Sequence, residues 1–413
     1  MNITGKDRTI IRDLAKQVAE IAAWPIMEEK RKLWRRLNSM ERVRPMVVLQ
    51  NGTWHETNWI IDRMLICEGE EARMYEWTYR SMIWAYDTIK DDTVCEAFAH
   101  SPIVIHGPGY DIKEHTTRVE HQWGAVRYNT SLSEDTSLDI IPTPNITVDW
   151  EETERLYQEK CEFFDGIFEV HIGGRDGGWF APMDEFVRWR GIEQTFLDMV
   201  DRPEFIHAWM EKLTWYHLYQ LDQYEKHNVL TLNNGANGVG SGGLAFTDEL
   251  PQKDFDGIHV RTKDQWGHAT TQIFSEVSPA MHKEFALDYE ARYLSRFGLC
   301  NYGCCEPLDK KVDMVLEAIP NVRRMSMSPK ANVRRGAEAI GRRCIFSWKP
   351  NPTMLSMETW DPKQAEGLLR EGFEATRNCV TEVIMKDLHN VRNEPHRMGE
   401  WADIAMRLAE EYA

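Results

Sequence analysis

The 413-residue sequence has no apolar run approaching the roughly 20 residues that a membrane-spanning helix requires, so no integral membrane role is expected. It has no surplus of positive charge. Its 49 Lys and Arg stand against 66 Asp and Glu, a net charge of -17, which argues against nucleic acid or an anionic membrane as the main partner. Cysteine is scarce: eight residues, scattered except for Cys304-Cys305. That is no disulfide framework, and in a reducing cell most of them read as small buried hydrophobes. Residues 1–7 lack the apolar core of a signal peptide, which gives the expectation of a cytoplasmic protein. No Gly-x-Gly-x-x-Gly opens a helix after a first strand, so dinucleotide binding has no support. The glycine-rich run at 238–243 lacks the Gly-Lys-Ser/Thr ending of a phosphate loop.

What is present is a globular composition, 42% hydrophobic and 28% charged, on a chain long enough for a large α/β fold with an extension. Sixteen tryptophans are an unusual number; most are expected in the core, and some are expected to line a pocket for a flat or methylated ligand. Ile10, Ile11, Leu14, Val18 and Ile21 form a stripe of helical period, and Pro25 suits the first turn of a second helix. Residues 46–49 and 101–106 read as strands, and 107–148 as an irregular excursion, a hairpin or a lid. Beyond Asp149 and Glu152, a capping-box-like helix start, strands are expected at 166–172, 229–233, 257–260, 299–303, 322–327, 344–348 and 383–388. Helical segments lie between most of them. This alternation implies a parallel sheet; with one strand from the first 110 residues it predicts a (β/α)8 TIM-type barrel over 101–413, preceded by a mainly helical extension over 1–100.

Chemistry-bearing residues collect at the carboxyl ends of these expected strands, the end where barrel enzymes keep their active sites. His171 follows one, Asn233 and Asn234 the next, and His259 a third, with Asp264 and Trp266 just beyond. Tyr302, Cys304, Cys305 and Glu306 follow another, then Lys349, then His389. Singly, none is specific. A lone histidine is more often structural than a ligand, and a Cys-Cys pair arises by chance. Converging on one mouth, Cys304 and His389 are the candidate metal ligands, because zinc prefers thiolate and imidazole and a catalytic site keeps one open position. Cys305, His259 and Glu306 are the reserves. Such a metal would polarise a bound oxygen or sulfur, and Asp264, Glu306 or His259 is a candidate for acid–base work.

Residues from about 165 to 412 resemble the uroporphyrinogen decarboxylase superfamily, in its corrinoid-linked methyltransferase branch. The segments that carry the resemblance are Trp189-Arg190-Gly191-Ile192-Glu193, Phe274-Ser275-Glu276-Val277-Ser278-Pro279, Tyr302-Gly303-Cys304-Cys305-Glu306, Trp348-Lys349-Pro350-Asn351-Pro352, and Asp387-Leu388-His389 with Pro395-His396-Arg397. The resemblance implies a barrel with its site at the mouth. Where zinc methyltransferases of this superfamily place a His-x-Cys pair and a second Cys, this chain has Tyr302-Gly303-Cys304 and His389, an altered set. Residues 1–60 lack the arginine-rich motif of the haem-pathway decarboxylases. The implied activity is O-demethylation: a methyl group moves from a methoxylated aromatic compound to the cobalt of cobalamin carried by a separate corrinoid protein, with zinc as the metal. His171, Asn233, Asn234, Trp266, Tyr302 and Lys349 are the expected substrate contacts, and a homodimer is compatible with the family. The alternatives are another methyl donor (a methylamine, betaine or thiol) and a decarboxylase of the same superfamily.

Overall fold

The computed structural model describes residues 3–50, 60–110, 112–118 and 126–413. Residue 111 and residues 119–125, within the expected excursion, lie outside the described residues. Among the described residues no helix is long and apolar enough to cross a membrane.

One parallel sheet organises the chain. In spatial order it runs Met46–Leu49, Thr381–Met385, Ile345–Trp348, Val322–Met327, Leu299–Tyr302, Trp266–Ala269 and Trp179–Phe180. The first strand therefore pairs with the last, and the later strands follow one another in sequence order with helices between them. This is the alternation expected from the sequence. The hydrogen-bonded ladder stops at seven strands, however, and does not close on itself among the described residues. Outside this sheet lie a separate parallel pair, Phe98–Pro102 with Glu169–Gly173, an antiparallel pair, Val104–His106 with Thr147–Asp149, and a bridge from Arg175 to Leu230. The excursion contains the antiparallel hairpin of His115–Arg118 and Val126–Asn129.

Three of the expected strands differ: 101–106 is divided between Phe98–Pro102, in the separate parallel pair, and Val104–His106, which pairs antiparallel with Thr147–Asp149. The segment 257–260 is an exposed turn built on Asp256, whose Oδ1 accepts from the backbone N–H groups of Ile258 and His259. The strand in this region is Trp266–Ala269 instead, held by ladders on both sides. Residues 229–233 contribute only the bridge at Leu230.

The sheet has two different faces because side chains alternate along a strand. Tyr302, Met325, Met327, Phe346, Trp348, Val383 and Met385 face the largest apolar cluster, under the helices Pro362–Ala375 and His396–Glu411. Packing there is close: a Cβ at Gly372 would lie 1.9 Å from the Trp348 ring, so only glycine lets that helix approach. The opposite face is polar. Register places His268 beside Asn301, Asn301 beside Arg324, Ser326 beside Ser347, and Ser347 beside Glu382. All six are buried. A buried polar row is costly unless its members are paired, so its presence marks this face as the working one.

The N-terminal helices cover part of that face. Thr4 caps the helix Gly5–Ala22, accepting from Asp7 N at 3.2 Å, and Ile11, Leu14, Ala15, Val18 and Ile21 bury its apolar stripe. From the next helix, Pro25–Asn38, Trp34 donates to Asp92 O and Asn38 donates to Leu244 O and Phe246 O. Arg324 answers by donating to Asn38 Oδ1 and to the carbonyls of Gly243 and Leu244, and its guanidinium lies over Trp266.

Candidate functional site

The strand Leu299–Tyr302 ends at Gly303, whose φ of +85° turns the chain sharply. A Cβ there would meet Leu308 at 2.4 Å, so glycine is required for both reasons. The turn delivers Cys304, Cys305 and Glu306 together. Ser241 donates to Gly303 O and Ser326 donates to Cys304 O, which pins the turn from two sides. Glu306 is buried behind it and accepts from Thr270 Oγ1, Thr271 N and Cys304 N. Its carboxylate is thus committed to holding the loop.

Two lysines approach from the neighbouring strands. Lys386, directly after Thr381–Met385, places Nζ 3.0 Å from Cys304 Sγ and 3.7 Å from Cys305 Sγ. Asp387 adopts φ +58°, an uncommon value for a non-glycine residue, and brings its carboxylate 3.0 Å from the same Nζ. Lys349, directly after Ile345–Trp348, is fully buried and donates to Ser347 O at 3.1 Å. The hydrogen bond from Cys305, together with the Lys386 ammonium, brings the Cys304 thiol down to about 7 against the opposing effect of burial. Cys305, as the donor in that bond, is pushed up. Burial, reinforced by Lys386 and Arg324, lowers Lys349 to about 7, while Glu382 opposes it. Burial also works against the charge on Lys386, but the thiols and Asp387 outweigh it and hold its pKa up. The site is therefore a thiolate–ammonium pair with a second lysine poised near neutrality.

Behind the strand Leu299–Tyr302 runs a second polar chain. Lys311 Nζ meets His282 Nδ1 at 2.8 Å, His282 Nε2 meets Tyr302 Oη at 2.8 Å, and Tyr302 donates to Glu290 at 2.6 Å. Burial raises Glu290 to about 8, with Glu306 and Asp184 adding to it, and burial lowers His282 to about 3. Thr271 joins this chain to the site: its hydroxyl donates to Glu290 and its backbone N–H to Glu306.

The expected site residues distribute unevenly. Cys304, Cys305 and Glu306 come together, with Lys349 on a neighbouring strand end. Tyr302 lies on the helix-facing side, bound to Glu290 and His282, because its neighbour Asn301 takes the polar face. His259 stands exposed on the turn, its ring 2.7 Å from Asp256. Asp264 is buried in a structural role, accepting from Arg261 and Gln252 N. His171 is exposed and stacks on Phe98. Asn233 pins backbone, donating to Asp176 O and accepting from Trp266 N. Asn234 donates to Leu250 O, and the buried Trp266 donates to Ala245 O. His389 is exposed on the loop beyond Lys386.

For a metal, the residues as placed do not fit. Catalytic zinc takes three protein ligands, and among the described residues no three His, Cys, Asp or Glu side chains are grouped so as to hold an ion. The place beside the two thiols is taken by the Lys386 ammonium.

Sequence reading missed Lys386 and His268. Lys386 was hidden because the last strand starts and ends earlier than its apolar run suggests, so the eye passes to His389. His268 sits inside Trp266-Gly267-His268-Ala269, a strand with no β-branched residue to announce it. The available signal was the period-2 spacing of Trp266, His268 and Thr270.

No known protein family matches the chain by sequence, and no curated protein matches it. A solved structure described as a methyltransferase from Methanosarcina mazei is similar in fold, with a TM-score of 0.53 over 92% of this chain and 98% of that one, at 9% identity.

Proposed function

We propose that this protein is a methyltransferase that removes the methyl group of a methoxylated aromatic compound and passes it to the reduced cobalt of a corrinoid carried by a separate protein. We take the seven-stranded sheet as the larger part of a (β/α)8 barrel, its open side walled by the Phe98–Pro102 and Glu169–Gly173 pair. The similarity in fold to a named methyltransferase supports the reaction class. The observation that carries the reading is the placement of Lys349 and Lys386 on adjacent strand ends beside Cys304. Cleaving an aryl methyl ether leaves both electrons of the C–O bond on oxygen, and a phenolate leaves poorly unless its charge is met as it forms. The reduced cobalt supplies the nucleophile that accepts the methyl group. Lys349, with its pKa near 7, supplies a proton to the departing oxygen, the match of acidity to working pH that general acid catalysis requires. Lys386 and Cys304 form a fixed ion pair that orders the rim, and Glu306 holds that rim in place.

The test is to mix the protein with cob(I)alamin and a panel of methoxyphenols, methoxybenzoates, methylamines and methyl thioethers, following methylcobalamin by absorbance. The reading expects methylcobalamin and a phenol from the aryl ethers. Turnover of only the amines or thioethers, or release of CO2 from an acid without cobalt, would overturn it.

A further inference from the structure

Lys349 is fully buried, and among the described residues its ammonium makes no direct ion pair. Both of its hydrogen bonds go to Ser347, one to the carbonyl at 3.1 Å and one to Oγ at 2.5 Å. Residues two apart on a strand share a face, which is why these two side chains meet. A buried charge held by neutral oxygens alone is strongly disfavoured. The charge that answers it stands one side chain further away. Register sets Ser347 beside Glu382 on the neighbouring strand, and the Ser347 hydroxyl donates to Glu382 Oε1. An ammonium only donates and a carboxylate only accepts, so the single hydroxyl proton goes to Glu382 and an oxygen lone pair to Lys349. The three side chains form one directed relay. All are fully buried, so the links polarise one another without competition from solvent.

Glu382 is free to serve that relay because its other charged neighbour is engaged elsewhere. Arg324 stands 3.7 Å from Glu382 Oε2, beyond hydrogen-bond reach. Its donors are committed to Asn38 Oδ1 and to the carbonyls of Gly243 and Leu244. The Gly243 N–H donates to Glu382 Oε1 at 3.0 Å. A Cβ at Gly243 would lie 2.7 Å from Glu382 Oε2, so glycine is what lets this amide approach.

The effect on Lys349 has a definite sign. Burial pulls its pKa down to about 7, and Lys386 and Arg324 act the same way; Glu382 and, less strongly, Cys304 favour the charged form. The nearby His268 is lowered to about 3 by burial and adds no charge near neutrality. We infer that Ser347 and Glu382 are positioning residues for Lys349: the hydroxyl fixes the ammonium in one place, and the carboxylate behind it keeps the proton there. This rests on the proposed proton donation by Lys349 to the departing oxygen, and adds the two residues that ready it.

The test is the pH titration of Lys349 in the full chain, followed by carbon-13 NMR of protein labelled in lysine, the signal being assigned by its loss in Lys349→Met. It needs neither corrinoid nor substrate. The wild-type midpoint should lie near pH 7. In Ser347→Ala and in Glu382→Gln it should fall by at least one unit, and Ser347→Thr, which keeps the hydroxyl, should retain the wild-type midpoint. A fall of one unit takes the protonated fraction at pH 7 from about one half to about one tenth, roughly fivefold. The alkaline limb of the methyl-transfer rate should move down with it, and the rate at pH 7 should drop by the same factor. Thermal melts show which variants are folded, and either of the first two decides the matter alone. A midpoint unmoved in a folded variant would overturn the inference, as would a wild-type midpoint at the ordinary lysine value of about 10.4. The two claims fail separately. Lowered midpoints in a protein that transfers no methyl group would sink the reaction and leave the relay standing. Methyl transfer with unmoved midpoints would do the reverse.

Discussion

Replacing Lys386 with methionine removes the cation from the site while nearly keeping the volume of its stem. In the intact protein, Nζ lies 3.0 Å from Cys304 Sγ, and the thiol, whose ordinary value is 9.0, is held at about 7 by the Cys305 hydrogen bond and this ammonium. A displacement of about two units corresponds to about 2.7 kcal/mol favouring thiolate. Without the ammonium, burial and the neighbouring Glu306 carboxylate act with less opposition, so the thiol should titrate higher, with the Cys305 hydrogen bond still holding it down in part. A midpoint one unit higher would take the thiolate fraction at pH 7.5 from about three quarters to about one quarter, roughly threefold. The assay is the pH dependence of Cys304 alkylation by iodoacetamide, followed by peptide mass spectrometry. Cys305→Ala serves as a comparison, because it removes the other contributor, the hydrogen-bond donor. The midpoint should move up by at least one unit in Lys386→Met. An unmoved midpoint would refute the claim that the lysine sustains the thiolate.

Four further outcomes are expected. Glu290 is raised from 4.5 to about 8 chiefly by burial, so the folded state holds its proton where the unfolded state has lost it. Its contribution to stability should fall as pH rises between those values, and Glu290→Gln should flatten that fall in a series of thermal melts. Arg324 and Glu382 are both fully buried, 3.7 Å apart. Arg324→Leu strands the carboxylate and should cost roughly 3–5 kcal/mol in urea unfolding. His259, exposed on its turn, should tolerate alanine with a change within about 0.5 kcal/mol and no loss of methyl transfer. Dialysis against a chelator should leave no stoichiometric zinc on Cys304 and Cys305 in an elemental analysis, since the described residues offer no third ligand.

Much of the sheet was legible in the chain because buried parallel strands read as short apolar runs. Residues 46–49 stand out this way; they, and the more polar 322–327 with Arg323, Arg324 and Ser326, are both strands with the expected bounds. The site was legible only in part, for two physical reasons. Parity is the first. A strand alternates its faces, so an assignment one residue off exchanges solvent, core and site; Tyr302 and Asn301 are such a pair, and only the register beside His268 decides between them. Tertiary override is the second. Ile258-His259-Val260 has the better strand composition, yet Asp256 folds it into a turn, while Trp266–Ala269 is drawn into the sheet by neighbours distant in sequence. Both segments carry a histidine, and composition favoured His259 over His268. The Cys304-Cys305-Glu306 cluster was visible because it is contiguous. The lysine that completes it comes from 82 residues further along the chain.

The most direct test is a single-turnover reaction of the protein with 2-methoxyphenol and cob(I)alamin, with methylcobalamin and catechol both quantified. The account predicts the two products in equal amounts, and a rate that falls at least tenfold in Lys349→Met while 2-methoxyphenol still binds. Absence of methylcobalamin with every aryl methyl ether tried, in protein shown to be folded, would contradict it.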